Sequence, residues 1–77
     1  MKHTDSEILA CAEGQEAGAE IIPQDVYDKL GIEPIDAALR LDTLVAEGLL
    51  VYELGNGHHT AGWFLTPLGE KKIKEKR

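Results

Sequence analysis

The chain has one cysteine, Cys11, which rules out an internal disulfide and any cysteine-based zinc site. Its aromatics are one tryptophan, two tyrosines and one phenylalanine, too few for any to be spared from a small core. No apolar run approaches the eighteen or so residues that span a membrane. Residues 1–20 lack the apolar stretch of a secretory signal, so the expected compartment is the cytoplasm. Basic residues are scarce in most of the chain. Residues 1–65 hold only Lys2, Lys29 and Arg40 against twelve carboxylates, a balance of −9. Five of the eight cations lie in residues 66–77, where the balance is +3. The net charge of −6 argues against a bulk polyanion binder.

What is present is an ordinary globular composition, 43% hydrophobic and 29% charged, so the chain folds rather than staying disordered. At 77 residues it forms a single domain with a frugal core. No internal repeat and no linker divides it.

Local signals place the elements. Thr4-Asp5-Ser6-Glu7 has the capping-box pattern, and Ile8, Leu9, Cys11 and Ala12 give an apolar face, so a helix is expected over about 5–13, ending near Gly14. Residues 13–20, with two glycines and three carboxylates, read as a mobile loop. Ile21-Ile22 has room for a minimal strand. Pro23 opens a second helix over about 23–30, with Val26 and Leu30 on one face and Gly31 as its terminator. Pro34 opens a third over about 34–47, with Ala37, Leu41, Leu44 and Val45 inward and Gly48 closing it. Residues 50–54 and 61–65 are β-prone and flank Gly55-Asn56-Gly57, a hairpin signal, with His58-His59-Thr60 at the tip. Thr66-Pro67 caps a last helix over about 67–75.

The order is helix, short strand, helix, turn, helix, hairpin, helix. It resembles the winged helix-turn-helix arrangement, an α+β fold of mostly helical content. Leu41, Leu44, Gly48 and Leu49-Leu50 look like a recognition helix running into a first wing strand. Trp63-Phe64-Leu65-Thr66-Pro67-Leu68-Gly69-Glu70 is similar to the aromatic-x-Leu-Thr-x-x-Gly stretch that closes MarR-like and PadR-like regulators. The resemblance spans about residues 5–72. It implies a transcription regulator whose third helix enters the major groove and whose hairpin touches the backbone.

On that reading Arg40 and Thr43 contact bases, while Asn56, His58 and His59 contact phosphates. A homodimer is expected, because one unit makes few contacts. The charges pull the other way. Asp36, Asp42 and Glu47 share the outer face of the third helix, and residues 51–65 contain no lysine or arginine. The alternative is a protein-interaction winged helix, with Ile35 and Leu39 as anchors, Asp36 and Asp42 as rim charges, and Phe64 exposed beside them. Ile35 and Leu39 have a second possible place, beneath the first helix or the long loop as core.

Other chemistry is poorly supported. His58 and His59 are adjacent in a hairpin and point apart, with no third metal ligand nearby in sequence. Cys11 lies on an apolar helix face as a buried thiol. Gly55-Asn56-Gly57 precedes a strand rather than a helix, so it is no phosphate loop. No carboxylate pair or Ser-His-Asp arrangement has catalytic context. The chain reads as a non-enzymatic binding module without cofactor or metal.

Overall fold

In the computed structural model, residues 4–55 and 61–75 are described. Helix α1 is Asp5–Leu9, and the capping box forms at its start. The Glu7 N–H donates to Thr4 Oγ1 at 3.2 Å, and the Thr4 N–H donates to Glu7 Oε1 at 2.9 Å. The helix is four residues shorter than its apolar spacing suggests. After Leu9 the backbone tightens: the Cys11 N–H donates to the Ile8 carbonyl and the Ala12 N–H to the Leu9 carbonyl, both three residues back. This tighter turn brings Cys11 and Ala12 into the core beside Ile8 and Leu9. A single 3₁₀ turn, Glu13–Gln15, follows, with Gly14 at φ +78°.

The segment expected to be mobile is instead tied down. The Gly18 N–H donates to the Leu65 carbonyl at 2.7 Å, the Leu65 N–H to the Ala19 carbonyl at 2.8 Å, and the Ala17 N–H to Glu70 Oε1 at 3.2 Å. Strand β1 is Glu20–Ile21, one residue earlier than Ile21-Ile22 suggested. Ile22 leaves the ladder because its carbonyl accepts from the Asp25 and Val26 N–H groups and so caps the next helix.

Helix α2, Pro23–Leu30, ends on Gly31 at φ +75°. Helix α3, Pro34–Ala46, buries Ala37, Leu41 and Leu44 at the anticipated spacing. Past Gly48, the Leu49 N–H reaches back to the Leu44 carbonyl at 3.0 Å, closing the Schellman turn. Strands β2, Leu50–Glu53, and β3, Gly62–Leu65, are each a little shorter than the expected hairpin arms. The strands form one antiparallel sheet in the order β1-β3-β2, with Ile21 opposite Trp63 and Leu50 opposite Leu65. Helix α4, Pro67–Glu75, packs on α1. The core gathers Ile8, Leu9, Ile21, Val26, Leu41, Leu44, Leu50, Leu65 and Ile73.

The start of α4 is the tightest point. Thr66 Oγ1 donates to the Gly48 carbonyl at 2.8 Å and accepts from the Gly69 N–H at 3.1 Å. A Cβ on Gly69 would collide with the Leu49 carbonyl oxygen and lie 2.7 Å from Leu65 Cδ1. Gly69→Ala should therefore cost about 1–3 kcal/mol, read from the urea midpoint. An unchanged midpoint would mean that α4 can slide off Leu49 freely.

Glu70 offers a separate test. The Lys74 ammonium, 2.8 Å away, and the Ala17 N–H hold its carboxyl below the usual carboxylate range. A carboxyl whose folded value is depressed stabilises the fold above its ordinary value and loses that effect as pH falls through the folded value. Acidification through the carboxylate range should thus lower the amide protection factor of Ala17 before it lowers those of α3. Glu70→Gln should remove that early acid step.

Candidate interaction surface

The third helix presents two faces of different chemistry. Ala37, Leu41 and Leu44 point into the core. On the opposite side Ile35 is 78% exposed and Leu39 62%. They lie four residues apart, so their side chains are neighbours on one face. These exposures rule out the core placement for both residues. Asp36, Asp42, Thr43 and Glu47 are also exposed, and Glu33 stands at the helix start.

Arg40, the expected base reader, does not stand out with them. It is partly buried, and its guanidinium lies 3.6 Å from the Asp5 carboxylate of α1. An ion pair this exposed is worth at most about 1 kcal/mol, so its importance is the direction it gives the side chain. The Thr43 hydroxyl donates to the Leu39 carbonyl one turn back, at 3.1 Å. Asn56, His58 and His59 lie outside the described residues.

Asp42 has a further role, one without a local signal in the sequence. Its Oδ1 accepts from the Trp63 indole N–H at 3.1 Å. Trp63 is half-buried against the core and meets Tyr52 edge-on, with ring centroids 5.0 Å apart. The surface therefore runs from Ile35 and Leu39 through Asp42 to Trp63 and Tyr52. The two elements are twenty-one residues apart at the bond, and no local pattern encodes that separation. Phe64 lies on the other face of the sheet, opposite Val51 and Glu20 in the register, and is only partly exposed. It is not part of the α3 surface.

Cations concentrate elsewhere. Lys71, Lys72 and Lys74 belong to α4, where Lys74 pairs with Glu70. Cys11 is buried, its thiol is held up from its ordinary value by burial, and its Sγ lies 3.6 Å from the Glu7 carbonyl oxygen. Among the described residues, no three His, Cys, Asp or Glu side chains are grouped to hold a metal ion, and no helix is long and apolar enough to cross a membrane. No family model, curated protein or solved structure matches the chain.

The Asp42–Trp63 bond has a direct optical readout, since the chain has a single tryptophan. Asp42→Ala should move Trp63 emission to longer wavelength and cost about 1 kcal/mol in stability. An unshifted spectrum would mean that the indole is held by its ring contacts alone.

Proposed function

We propose that this chain is a winged-helix binding module that docks a protein partner on the outer surface of α3. The winged-helix part of this reading is supported by the element order, α1-β1-α2-α3-β2-β3-α4, and by a β1-β3-β2 sheet in which the hairpin follows α3. The observation that carries the partner reading is the exposure of Ile35 and Leu39, side by side on the helix that would otherwise face DNA. Two large apolar side chains in water, bordered by Glu33, Asp36, Asp42 and Glu47, suit an apolar pocket with basic residues around it. Phosphates would meet only like charge along this face.

A second reading, a DNA-binding regulator, draws its support from the same element order. In it Arg40 leaves Asp5 to read a base, and the chain acts as a homodimer. Arg40→Ala would then weaken specific binding by ~1–3 kcal/mol.

The two readings separate on one substitution and one titration. Leu39→Asp should leave the urea midpoint nearly unchanged, because the side chain is already in water, whereas Leu41→Ala in the core should cost ~2–5 kcal/mol. A photo-crosslinking residue at Thr43 should trap a protein in cells, and Leu39→Asp should remove that adduct. A labelled mixed-sequence duplex should show no binding at about 20 mM salt. Duplex binding that weakens steeply toward about 150 mM salt would replace the partner reading with the regulator reading. A Leu39→Asp variant that unfolds would end the partner reading.

A further inference from the structure

Strand β2 lies at one edge of the sheet, and its hydrogen-bonding direction can be worked out residue by residue. Leu65 of β3 turns its N–H and C=O toward the β1 side, where they bond Ala19 and Gly18. Antiparallel pairing alternates, so Phe64 and Gly62 turn theirs toward β2 and bond their partners Val51 and Glu53. Leu50 and Tyr52 therefore turn their N–H and C=O groups away from β3. Leu50 is covered, at 2% exposure, so the groups open along the sheet edge are those of Tyr52, 43% exposed.

Natural edges are commonly guarded by lysine, by proline or by a bulge. Residues 50–54 contain no lysine and no proline, and the β2–β3 register runs without interruption. Val51 and Tyr52 are both substantially exposed, and Leu54 just beyond the strand is 79% exposed. On the outer face of the sheet, Glu53 and Glu20 border a concavity of about 390 Å³ that also includes Val51 and Phe64. The Glu20 carboxylate folds over Gly62, the cross-strand partner of Glu53, so both acids serve the same end of that concavity.

We infer that the β2 edge accepts an extended basic–apolar segment of a partner protein as a fourth strand. The added strand pairs antiparallel, exchanging backbone hydrogen bonds with Tyr52 at the exposed end of β2. Its residue opposite Glu53 is lysine or arginine and reaches over the acidic concavity. The neighbouring residues, on the other face, are apolar and lie beside Tyr52. Backbone pairing supplies affinity, and alternation of cation and apolar side chain supplies the register. Charge selects this occupant over a second copy of the chain. A second copy brings another net charge of −6 to an acidic edge and sets no cation opposite Glu53. The inference stands apart from the α3 surface, because it uses backbone groups and carboxylates of the sheet.

The test uses the whole chain and two fluorescent seven-residue probes of equal composition at about 150 mM salt. One alternates lysine and valine; the other places its four lysines before its three valines. The alternating probe should bind at least about ten-fold more tightly, and its binding should slow amide exchange at Tyr52. Glu53→Lys, at an exposed position, should weaken that binding by about ten-fold or more, whereas Leu39→Asp should leave it unchanged. Equal binding of both probes would reduce the effect to net charge and overturn the proposal. So would an unprotected Tyr52 amide, or loss of binding in Leu39→Asp, which would move the probe to α3. Self-association through the edge, seen as a dimer that slows Tyr52 exchange without probe, would make a second copy the occupant instead.

Discussion

One side chain, Thr66, holds four elements in their relative places. Its hydroxyl donates to the carbonyl of Gly48, at the end of α3, and accepts from the N–H of Gly69, in the first turn of α4. Its own N–H donates to the carbonyl of Leu49, which leads into β2, and it directly follows the last residue of β3. Each bond is worth about 1 kcal/mol at most, so the bonds alone do not explain the arrangement. The steric condition is stronger. Helix α4 can approach only because residue 69 has no Cβ, and the atom it nearly touches is a backbone oxygen, which cannot swing aside. The leucine, threonine and glycine at 65, 66 and 69 are thus a packing requirement of the fold itself. They would be needed whatever the molecule binds.

The readable parts of the chain are those whose causes are local. Pro23, Pro34 and Pro67 each begin a helix, and Gly31 and Gly48 adopt the left-handed turn that a terminator needs. Helical spacing placed Ala37, Leu41 and Leu44 inward because a helix face is set by residues three and four apart. The less readable parts have distant causes. Helix α1 stops at Leu9 because a tighter turn lets Cys11 and Ala12 pack, and the apolar pattern is the same in either geometry. Residues 16–19 look mobile by composition, yet their partners are Leu65 and Glu70, about fifty residues away. At the surface, the sequence left two places for Ile35 and Leu39, and the packing of the other elements decided between them. The turn of Arg40 toward Asp5 and the Asp42–Trp63 bond also depend on tertiary approach.

Charge divides this molecule in a way that bears on any partner. Most carboxylates are spread over the first five elements and their connections, while three of the five described cations, Lys71, Lys72 and Lys74, gather on α4 beside Glu70 and Glu75. A groove-reading helix flanked by phosphates gains from every lysine and arginine it carries and loses from every carboxylate. Helix α3 carries one arginine, already beside an acid, and its exposed face carries Asp36 and Asp42. The element order and the chemistry of that face thus point to different partners. A shared architecture does not fix what its surface binds. The side chains at the surface are the more direct evidence.

The carboxylates of α3 do not all have the same role. Asp42 fixes the tryptophan that braces Tyr52, so it contributes to the shape of the surface as well as to its charge. Asp36 makes no such bond among the described residues, and it lies one residue from Ile35 on the exposed side. A partner can therefore draw on Asp36 without disturbing the domain, whereas engaging Asp42 competes with an internal bond. Through Asp42, Trp63 and Tyr52, the apolar stripe of α3 continues into the face of the sheet at the β2 edge. The helix face offers apolar side chains, and the strand edge, a separate site, offers the outward backbone groups of Tyr52. A flat apolar patch alone would bind many sequences weakly. An edge with a defined hydrogen-bonding register restricts which segment can lie against it, and a carboxylate opposite one position of that register restricts it further.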